Sequence, residues 1–107
     1  MSALHVNDQN FEAEVLNSEL PVLVDFWAPE CGPCRAMGPT VDELAVEFAG
    51  RAKVVKANVH EAPEAAARYG VLSIPSFIVL KDGERHTQLV GARPKQDLVA
   101  PLEALAN

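Results

Sequence analysis

The chain has 107 residues, which is long enough for one domain with a sizeable hydrophobic core. Hydrophobic residues make up 49% of it and charged residues 22%, as in an ordinary soluble globular protein. The net charge of −6 argues against nucleic acid or an anionic membrane as the main partner. No apolar run is long enough to span a bilayer, and the opening MSALHVNDQNF lacks the features of a secretory signal, so we expect a cytoplasmic protein.

The first part of the chain predicts a strand, a helix and a second strand. Residues 3–6 (ALHV) are a short strand candidate, and Asn7 or Asp8 can cap a helix that ends near Leu16. Residues 20–27 (LPVLVDFW) form a nearly continuous apolar run. Such a run is typical of a central strand that is covered on both faces.

A long helix is predicted after the two cysteines. Its apolar residues recur at helical spacing: Met37, Val41, Leu44, Ala45 and Phe48. Pro39 lies within this helix and should kink it, and Gly50 is a suitable end. Residues 52–59 then predict a strand, and residues 63–69 a short helix.

The last part of the chain predicts a hairpin and a final helix. Strand candidates at 76–80 and 85–90 flank the sequence Asp-Gly at 82–83, which is a strong signal for a two-residue hairpin. The tail over 94–106 is amphipathic, and Pro101 should bend it or end it early. Its apolar face contains Leu98, Leu102 and Leu105.

The order of these elements predicts one α/β domain over residues 1–107. The strand–helix–strand units of the first half need crossover connections and therefore parallel strands, whereas the hairpin adds antiparallel strands. A mixed sheet with helices on both faces follows.

Cys31 and Cys34 are the only cysteines in the chain. Residues three apart in a helical turn lie about 5–6 Å apart, which is within the range of a disulfide. A loop this short adds only about 2 kcal/mol to stability in the chain-entropy model. A bond between these cysteines is therefore better suited to being made and broken than to holding the fold together.

The place of the two cysteines at the start of a helix predicts different roles for them. Free amides and the helix dipole stabilise a thiolate at that end, and the thiolate is the attacking species, so Cys31 is the expected attacker. Pro33 fits the first turn, where its missing N–H does no harm. Cys34 lies one turn deeper and should be more buried, as the thiol that resolves the mixed disulfide.

Other uses of the cysteine pair stay open at this point. A zinc site would need further ligands, but there is no second CxxC, and the three histidines do not form an H-x₃₋₅-H pair. We therefore expect no metal. Haem attachment would need a histidine where Arg35 stands. Two inert buried thiols are the remaining alternative.

Three stretches of the sequence carry a family resemblance: DFWAPECGPCRAMGP, YGVLSIPSFIVLKDGE and VGARPKQDL. In this order and spacing they resemble the thioredoxin family over nearly the whole chain, with the C-G-P-C of the family motif intact at 31–34. The resemblance implies the thioredoxin fold, a central five-stranded mixed sheet flanked by four helices. It also implies protein-disulfide reduction by dithiol–disulfide exchange, because Gly-Pro is the pair that the family's reductants carry between the cysteines.

The resemblance also implies supporting roles. Asp25 interrupts an apolar strand, where burial should raise its pKa, and it matches the family's aspartate that shuttles the proton of the second cysteine. Lys56 matches the lysine that partners this acid. Around the disulfide, the backbone of Ile74 would pair with an extended substrate segment, and Ile74–Pro75 matches the family's cis-proline loop. The residues that match the docking surface are Trp27, Gly32, Pro33, Ile74, Pro75, Gly91 and Ala92.

Glu30 departs from the family pattern, which has tryptophan before the first cysteine. A carboxylate here should disfavour the Cys31 thiolate and make the pair slightly more reducing, and the loss of tryptophan removes apolar docking surface. Alternatively, Glu30 is an exposed loop residue whose charge is screened.

These inferences predict a cytoplasmic monomer that carries electrons from a thioredoxin reductase to disulfide-containing protein substrates and serves cell redox homeostasis. We expect no cofactor, no nucleic acid and no membrane partner. One rival is an oxidase or isomerase of the same fold. The other is a non-catalytic binding or chaperone-like module.

Overall fold

Five strands form one mixed sheet in the computed structural model, which describes residues 3–106. β1 and β2 each run parallel to β3, whereas β4 runs antiparallel to both β2 and β5. The spatial order is therefore β1-β3-β2-β4-β5, with β2 between β3 and β4. The strands are β1 (Leu4–Val6), β2 (Val22–Trp27), β3 (Lys53–Asn58), β4 (Ser76–Lys81) and β5 (Glu84–Val90).

Within residues 3–106, four helical segments cover the two faces of the sheet, as the sequence predicts. One face packs against a π-helical segment and α2 through residues such as Val15 and Ala65, and the other packs against α1 and α3 through residues such as Leu44 and Leu98. The segments are the π-helical segment Glu12–Leu16, α1 (Gly32–Glu47), α2 (Pro63–Arg68) and α3 (Lys95–Leu105).

The central strand β2 is buried on both faces. Side chains alternate between the faces of a strand, and Val24 and Phe26 accordingly join the core beneath the π-helical segment and α2. Leu23 joins the core beneath α1 and α3. Asp25 has the same parity as Leu23, so it lies on the α1 face at a position where an apolar side chain would be expected.

The first helix starts later than predicted. Asn7 caps a turn, since its Oδ1 accepts a hydrogen bond from the N–H of Asn10 at 3.1 Å. The helical segment itself begins at Glu12, and no side chain caps it. It is wider than an α-helix, as shown by the hydrogen bond from the N–H of Asn17 to the carbonyl of Glu12 at 2.9 Å. Asn7 is therefore a cap, as the sequence predicted, ahead of a turn closed by the hydrogen bond from the N–H of Phe11 to the carbonyl of Asn7 at 2.9 Å, and only the regular segment starts later, at Glu12.

Asp8 caps α2 rather than the helix that follows it in sequence. Its carboxylate accepts hydrogen bonds from the N–H groups of Glu64 at 3.0 Å and Ala65 at 3.1 Å. These amides have no partners within the helix, because the first turn of any helix leaves its donors free. Asp8 therefore joins the loop after β1 to the start of α2.

The predicted hairpin is present between β4 and β5. Asp82 and Gly83 have φ values of 53° and 78°. Positive φ at both central residues is the requirement of the two-residue turn that matches the twist of antiparallel strands.

Of the two outcomes predicted for Pro101, a bend or an early end, the early end does not occur, because α3 continues to Leu105. An interior proline costs a helix about 3 kcal/mol. Leu98 and Leu102 are both fully buried against the sheet, and each such side chain contributes about 1.5–3 kcal/mol. Their burial offsets the cost of the proline, so packing determines where the helix ends.

The cap on α2 predicts a stability effect. Replacing Asp8→Ala should lower the free energy of unfolding by about 1 kcal/mol, because two amides lose their acceptor. Asp8→Asn, which keeps an acceptor oxygen, should stay within a few tenths of a kcal/mol of wild type. Urea denaturation at pH 7 measures both variants. Equal stability of Asp8→Ala and wild type would show that water satisfies these amides equally well.

Candidate redox site

The two cysteines are bonded to each other at the start of α1. Their Cα atoms are 5.2 Å apart, within the predicted range. Cys31 is the N-cap residue of α1, and its Sγ accepts a hydrogen bond from the N–H of Cys34 at 3.2 Å. Cys31 is half-buried, whereas Cys34 is only 3% exposed. The accessible sulfur therefore lies at the positive end of a 16-residue helix, which favours its thiolate.

Backbone and side-chain hydrogen bonds fix the loop in front of Cys31. The N–H of Cys31 donates to the carbonyl of Ala28 at 3.1 Å. The guanidinium of Arg35, one turn into α1, donates to the carbonyl of Pro29 at 2.8 Å. Gly32 and Pro33 are exposed in the first turn of the helix. The sulfur of Cys31 is thus held at the transition from strand to helix, with little backbone freedom.

Two further loops meet beside Cys31. The Ile74–Pro75 peptide bond is cis, as predicted, and the carbonyl oxygen of Ile74 lies 3.8 Å from the Cys31 Sγ. The N–H of Gly91 donates to the carbonyl of Pro75 at 2.8 Å, which joins the loop after β5 to the proline loop. Gly91 has a φ of 93°, a conformation that favours glycine. Ala92 follows it and is exposed.

Asp25 lies beneath the disulfide with almost no access to solvent. It is 1% exposed, and its Oδ1 has no hydrogen-bond partner among residues 3–106. A cavity of about 310 Å³ adjoins it. Desolvation by burial raises the pKa of Asp25 to about 7; the positive charge of Lys56 opposes this rise and the negative charge of Asp42 adds to it. The cavity is lined by His5, Asp25, Trp27, Cys34, Arg35, Gly38 and Lys56.

Lys56 forms an ion pair with Asp42. Lys56 and Asp25 are register partners on β3 and β2, so both side chains lie on the α1 face of the sheet. The Nζ of Lys56 is 3.0 Å from Oδ1 of Asp42, which also accepts a hydrogen bond from the N–H of Ala3 at 2.9 Å. Burial raises the pKa of Asp42, but the two hydrogen bonds together with the positive charges of Lys56 and His5 outweigh it and leave the pKa below its usual value. Sequence reasoning missed Asp42, which belongs to no motif.

Trp27 lies on the inner side of the site. It is half-buried and lines the cavity together with Asp25 and Cys34. Its ring centroid is 6.1 Å from that of His5, at an interplanar angle of 58°. The ring is therefore in contact with the cavity beneath the disulfide and with β1.

Glu30 is bonded to His60, a contact that sequence reasoning missed. The Oε2 of Glu30 lies 2.6 Å from Nε2 of His60, and both side chains are exposed. This hydrogen bond lowers the pKa of Glu30 below its usual value. Glu30 is therefore ionised at neutral pH, and its carboxylate lies exposed to solvent beside the imidazole of His60.

Residues 3–106 contain no group of three or more His, Cys, Asp or Glu side chains that could hold a metal ion. None of the helices within these residues is both long and apolar enough to cross a membrane.

Comparison with known proteins identifies the family. A family model described as Thioredoxin matches residues 2–104. Thioredoxin of Synechocystis sp. is 52% identical over 98 residues, which are 92% of each chain. Thioredoxin 1 of Nostoc sp. is 50% identical over 95% of each chain, and the chloroplastic M-type thioredoxin of Pisum sativum is 50% identical over 92% of this chain and 57% of its own length. The chain therefore belongs to the thioredoxin family and is a thiol–disulfide oxidoreductase.

Proposed function

We propose that this chain reduces disulfide bonds in proteins, with Cys31 as the attacking thiolate and Cys34 as the resolving thiol. The observation that carries the assignment is the asymmetry of the pair. Cys31 is accessible at the N-terminus of α1, whereas Cys34 is buried above Asp25. An attacking sulfur must reach a large substrate, but a resolving sulfur needs to reach only its neighbour.

The first step requires the reduced form of the pair. The Cys31 thiolate attacks one sulfur of the substrate disulfide and forms a mixed disulfide, and the other substrate sulfur leaves as a thiolate that takes a proton from water. The N–H of Cys34, which points at the Cys31 Sγ, and the dipole of α1 stabilise the attacking charge.

The second step releases the substrate. Cys34 loses its proton and attacks the Cys31 sulfur, which re-forms the Cys31–Cys34 disulfide and expels the second substrate thiolate. We assign the proton to Asp25, because this carboxyl lines the same cavity as Cys34 and has a pKa of about 7. A base with a pKa near the working pH transfers protons most effectively.

Substrate docking is assigned to the surface around Cys31. Ile74 next to the sulfur offers backbone for strand-like pairing with an extended substrate segment. Large apolar side chains flank these loops: Leu72 is 96% exposed and Val90 is 49% exposed. The docking residues proposed are Trp27, Gly32, Pro33, Ile74, Pro75, Gly91 and Ala92. Of these, Trp27 would contact the substrate from the side of the cavity beneath the disulfide, because its side chain lines that cavity.

The wider setting is also part of the proposal. We assign residues 1–107 to one domain that works as a cytoplasmic monomer, takes electrons from a thioredoxin reductase and serves cell redox homeostasis. The family match over residues 2–104 supports the single domain. A disulfide that is made and broken, as in this family, fits a reducing compartment. Gel filtration and cell fractionation test the monomer and the compartment.

The roles of the cysteines can be tested with two variants. Cys31→Ser should abolish reduction of insulin disulfides, because no attacking thiolate remains. Cys34→Ser should attack normally and then accumulate as a mixed disulfide, which mass spectrometry detects. Alkylation of the reduced protein at pH 7 should label Cys31 first. Faster labelling of Cys34 would reverse the assignment, and a cysteine-free variant with full cellular function would favour a non-catalytic binding or chaperone-like role.

The burial of Asp25 predicts a pH-dependent stability difference. Its folded-state pKa of about 7 lies above the 3.8 of an unperturbed aspartate, so the ionised form costs stability on the order of 4 kcal/mol at alkaline pH. Asp25→Asn should therefore be more stable than wild type at pH 8 by up to about this amount. The advantage should shrink as the pH falls from 7 to 4, because the carboxyl of unfolded wild type then becomes protonated too and no longer favours the unfolded state.

Denaturant unfolding at several pH values measures this difference, and Glu61→Gln, at an exposed carboxyl, is the matched control. In single-turnover kinetics, Asp25→Asn should slow the resolving step and leave the first attack nearly unchanged. A stability difference that stays constant between pH 4 and 8 would contradict a raised pKa.

Replacement of Glu30 tests the departure from the family motif. Glu30→Trp should lower the pKa of Cys31 and raise activity with a thioredoxin reductase, mainly through a lower KM, because it removes a negative charge and adds apolar docking surface. Glu30→Gln removes only the charge, so it should reproduce the pKa change without most of the KM change. A Glu30→Trp variant with the wild-type thiol pKa and KM would make Glu30 a bystander.

A further inference from the structure

Lys56 is close to Asp25 and yet is held by another carboxylate. The two residues are register partners on neighbouring strands and line one cavity. The ammonium of Lys56 lies beneath α1 against Gly38, where an added Cβ would be 3.9 Å from Nζ. From there it contacts Asp42, at 3.0 Å. The ammonium is therefore paired with a carboxylate of α1, while its charge still lowers the pKa of Asp25 across the cavity.

Asp42 is itself held in place from a third element. Its Oδ1 accepts the N–H of Ala3, which precedes β1, at 2.9 Å, in addition to the ammonium of Lys56. The side chains of Lys56 and Asp42 are 12% and 31% exposed, so the pair is only partly screened by solvent. Asp42 thus joins the start of β1 and α1 to the lysine on β3.

We propose that Asp42 is a positioning residue for disulfide exchange, because it holds the ammonium of Lys56 away from Asp25 and so keeps Asp25 able to accept the proton of Cys34. This inference rests on the proposed role of Asp25. An opposite charge within about 4–6 Å lowers a carboxyl pKa by about 1–3 units. An ammonium bound directly to Asp25 would therefore make it a weak base, whereas an ammonium paired with Asp42 leaves its pKa near neutrality.

The other charged groups around the cavity are His5 on β1 and Arg35 on α1. Arg35 is engaged by the carbonyl of Pro29. His5 packs against Trp27, and its charge, when present, acts to lower the pKa of Asp42. Burial, Lys56 and Asp42 remain the three contributions that set the pKa of Asp25.

The variant Asp42→Asn tests the proposal with little change of shape, because its amide oxygen still accepts the N–H of Ala3. The pKa of Asp25 is measured by NMR titration of its carboxyl carbon in the oxidised protein, which needs no activity. We expect it to fall by about 1 unit or more, since the ammonium is released toward Asp25 and a negative charge is removed. Glu43→Gln removes one charge at the next position of α1 and should leave the pKa unchanged.

The Lys56→Met background distinguishes the effect of Asp42 on the position of the ammonium from the direct effect of its negative charge on Asp25. With no ammonium to redirect, Asp42→Asn should lower the pKa of Asp25 by clearly less than it does in wild type. A shift of equal size in both backgrounds, or no shift in either, would overturn the positioning role.

The rate of the resolving step separates this inference from the proposed function. Its pH dependence, measured in single turnovers of reduced protein with insulin, should move to lower pH with the Asp25 pKa. If the NMR pKa moves and this profile does not, the role of Asp25 as proton acceptor fails while the placement of Lys56 by Asp42 stands. If the profile moves without the Asp25 pKa, the positioning role is wrong.

Discussion

The burial of one carboxyl group in the middle of the sheet is the constraint on which the site depends. Asp25 occupies a core position of the central strand, where its ionisation costs on the order of 4 kcal/mol. That cost is large beside the 5–15 kcal/mol that is typical of a whole domain. The apolar packing on both faces of β2 must outweigh it. The packing that stabilises the fold therefore also determines the protonation of Asp25.

Topology brings every other part of the site to the same edge of the sheet. Cys31 follows the carboxyl end of β2. Since β4 runs antiparallel to β2, the proline loop that precedes it begins at this edge, and Gly91 returns to it at the end of β5. His60 follows the end of β3, which is parallel to β2, so it meets Glu30 there. A mixed sheet of this order is thus sufficient to assemble loops that are far apart in sequence.

Local patterns predicted the elements and the chemistry, but not the contacts between distant elements. The apolar run of β2, the Asp-Gly turn and the C-G-P-C motif are each readable within a few residues, and the family resemblance supplied the cis bond. Asp42 was missed because it acts through Lys56 and Ala3, on two other elements. The roles of Asp8 and Pro101 could not be predicted for a similar reason. Asp8 caps a helix that is distant in sequence, and α3 continues beyond Pro101 because Leu98 and Leu102 pack against the sheet.

The site has carboxyl groups on both sides of the cysteine pair, and their surroundings give them opposite properties. Glu30 is exposed and hydrogen-bonded to His60, so it keeps its charge, and water weakens but does not remove its effect on the Cys31 sulfur. Asp25 is desolvated, so it holds a proton near neutral pH and acts on Cys34 through a medium that screens poorly. A change at position 30 therefore alters mainly what docks on the outer surface. Under the proposed mechanism, changes near Asp25, including those at Asp42 and Lys56, alter proton transfer within the pair. The proposed mechanism therefore predicts that the two halves of the exchange reaction can be varied separately, because the disulfide lies between an exposed carboxylate and a buried one.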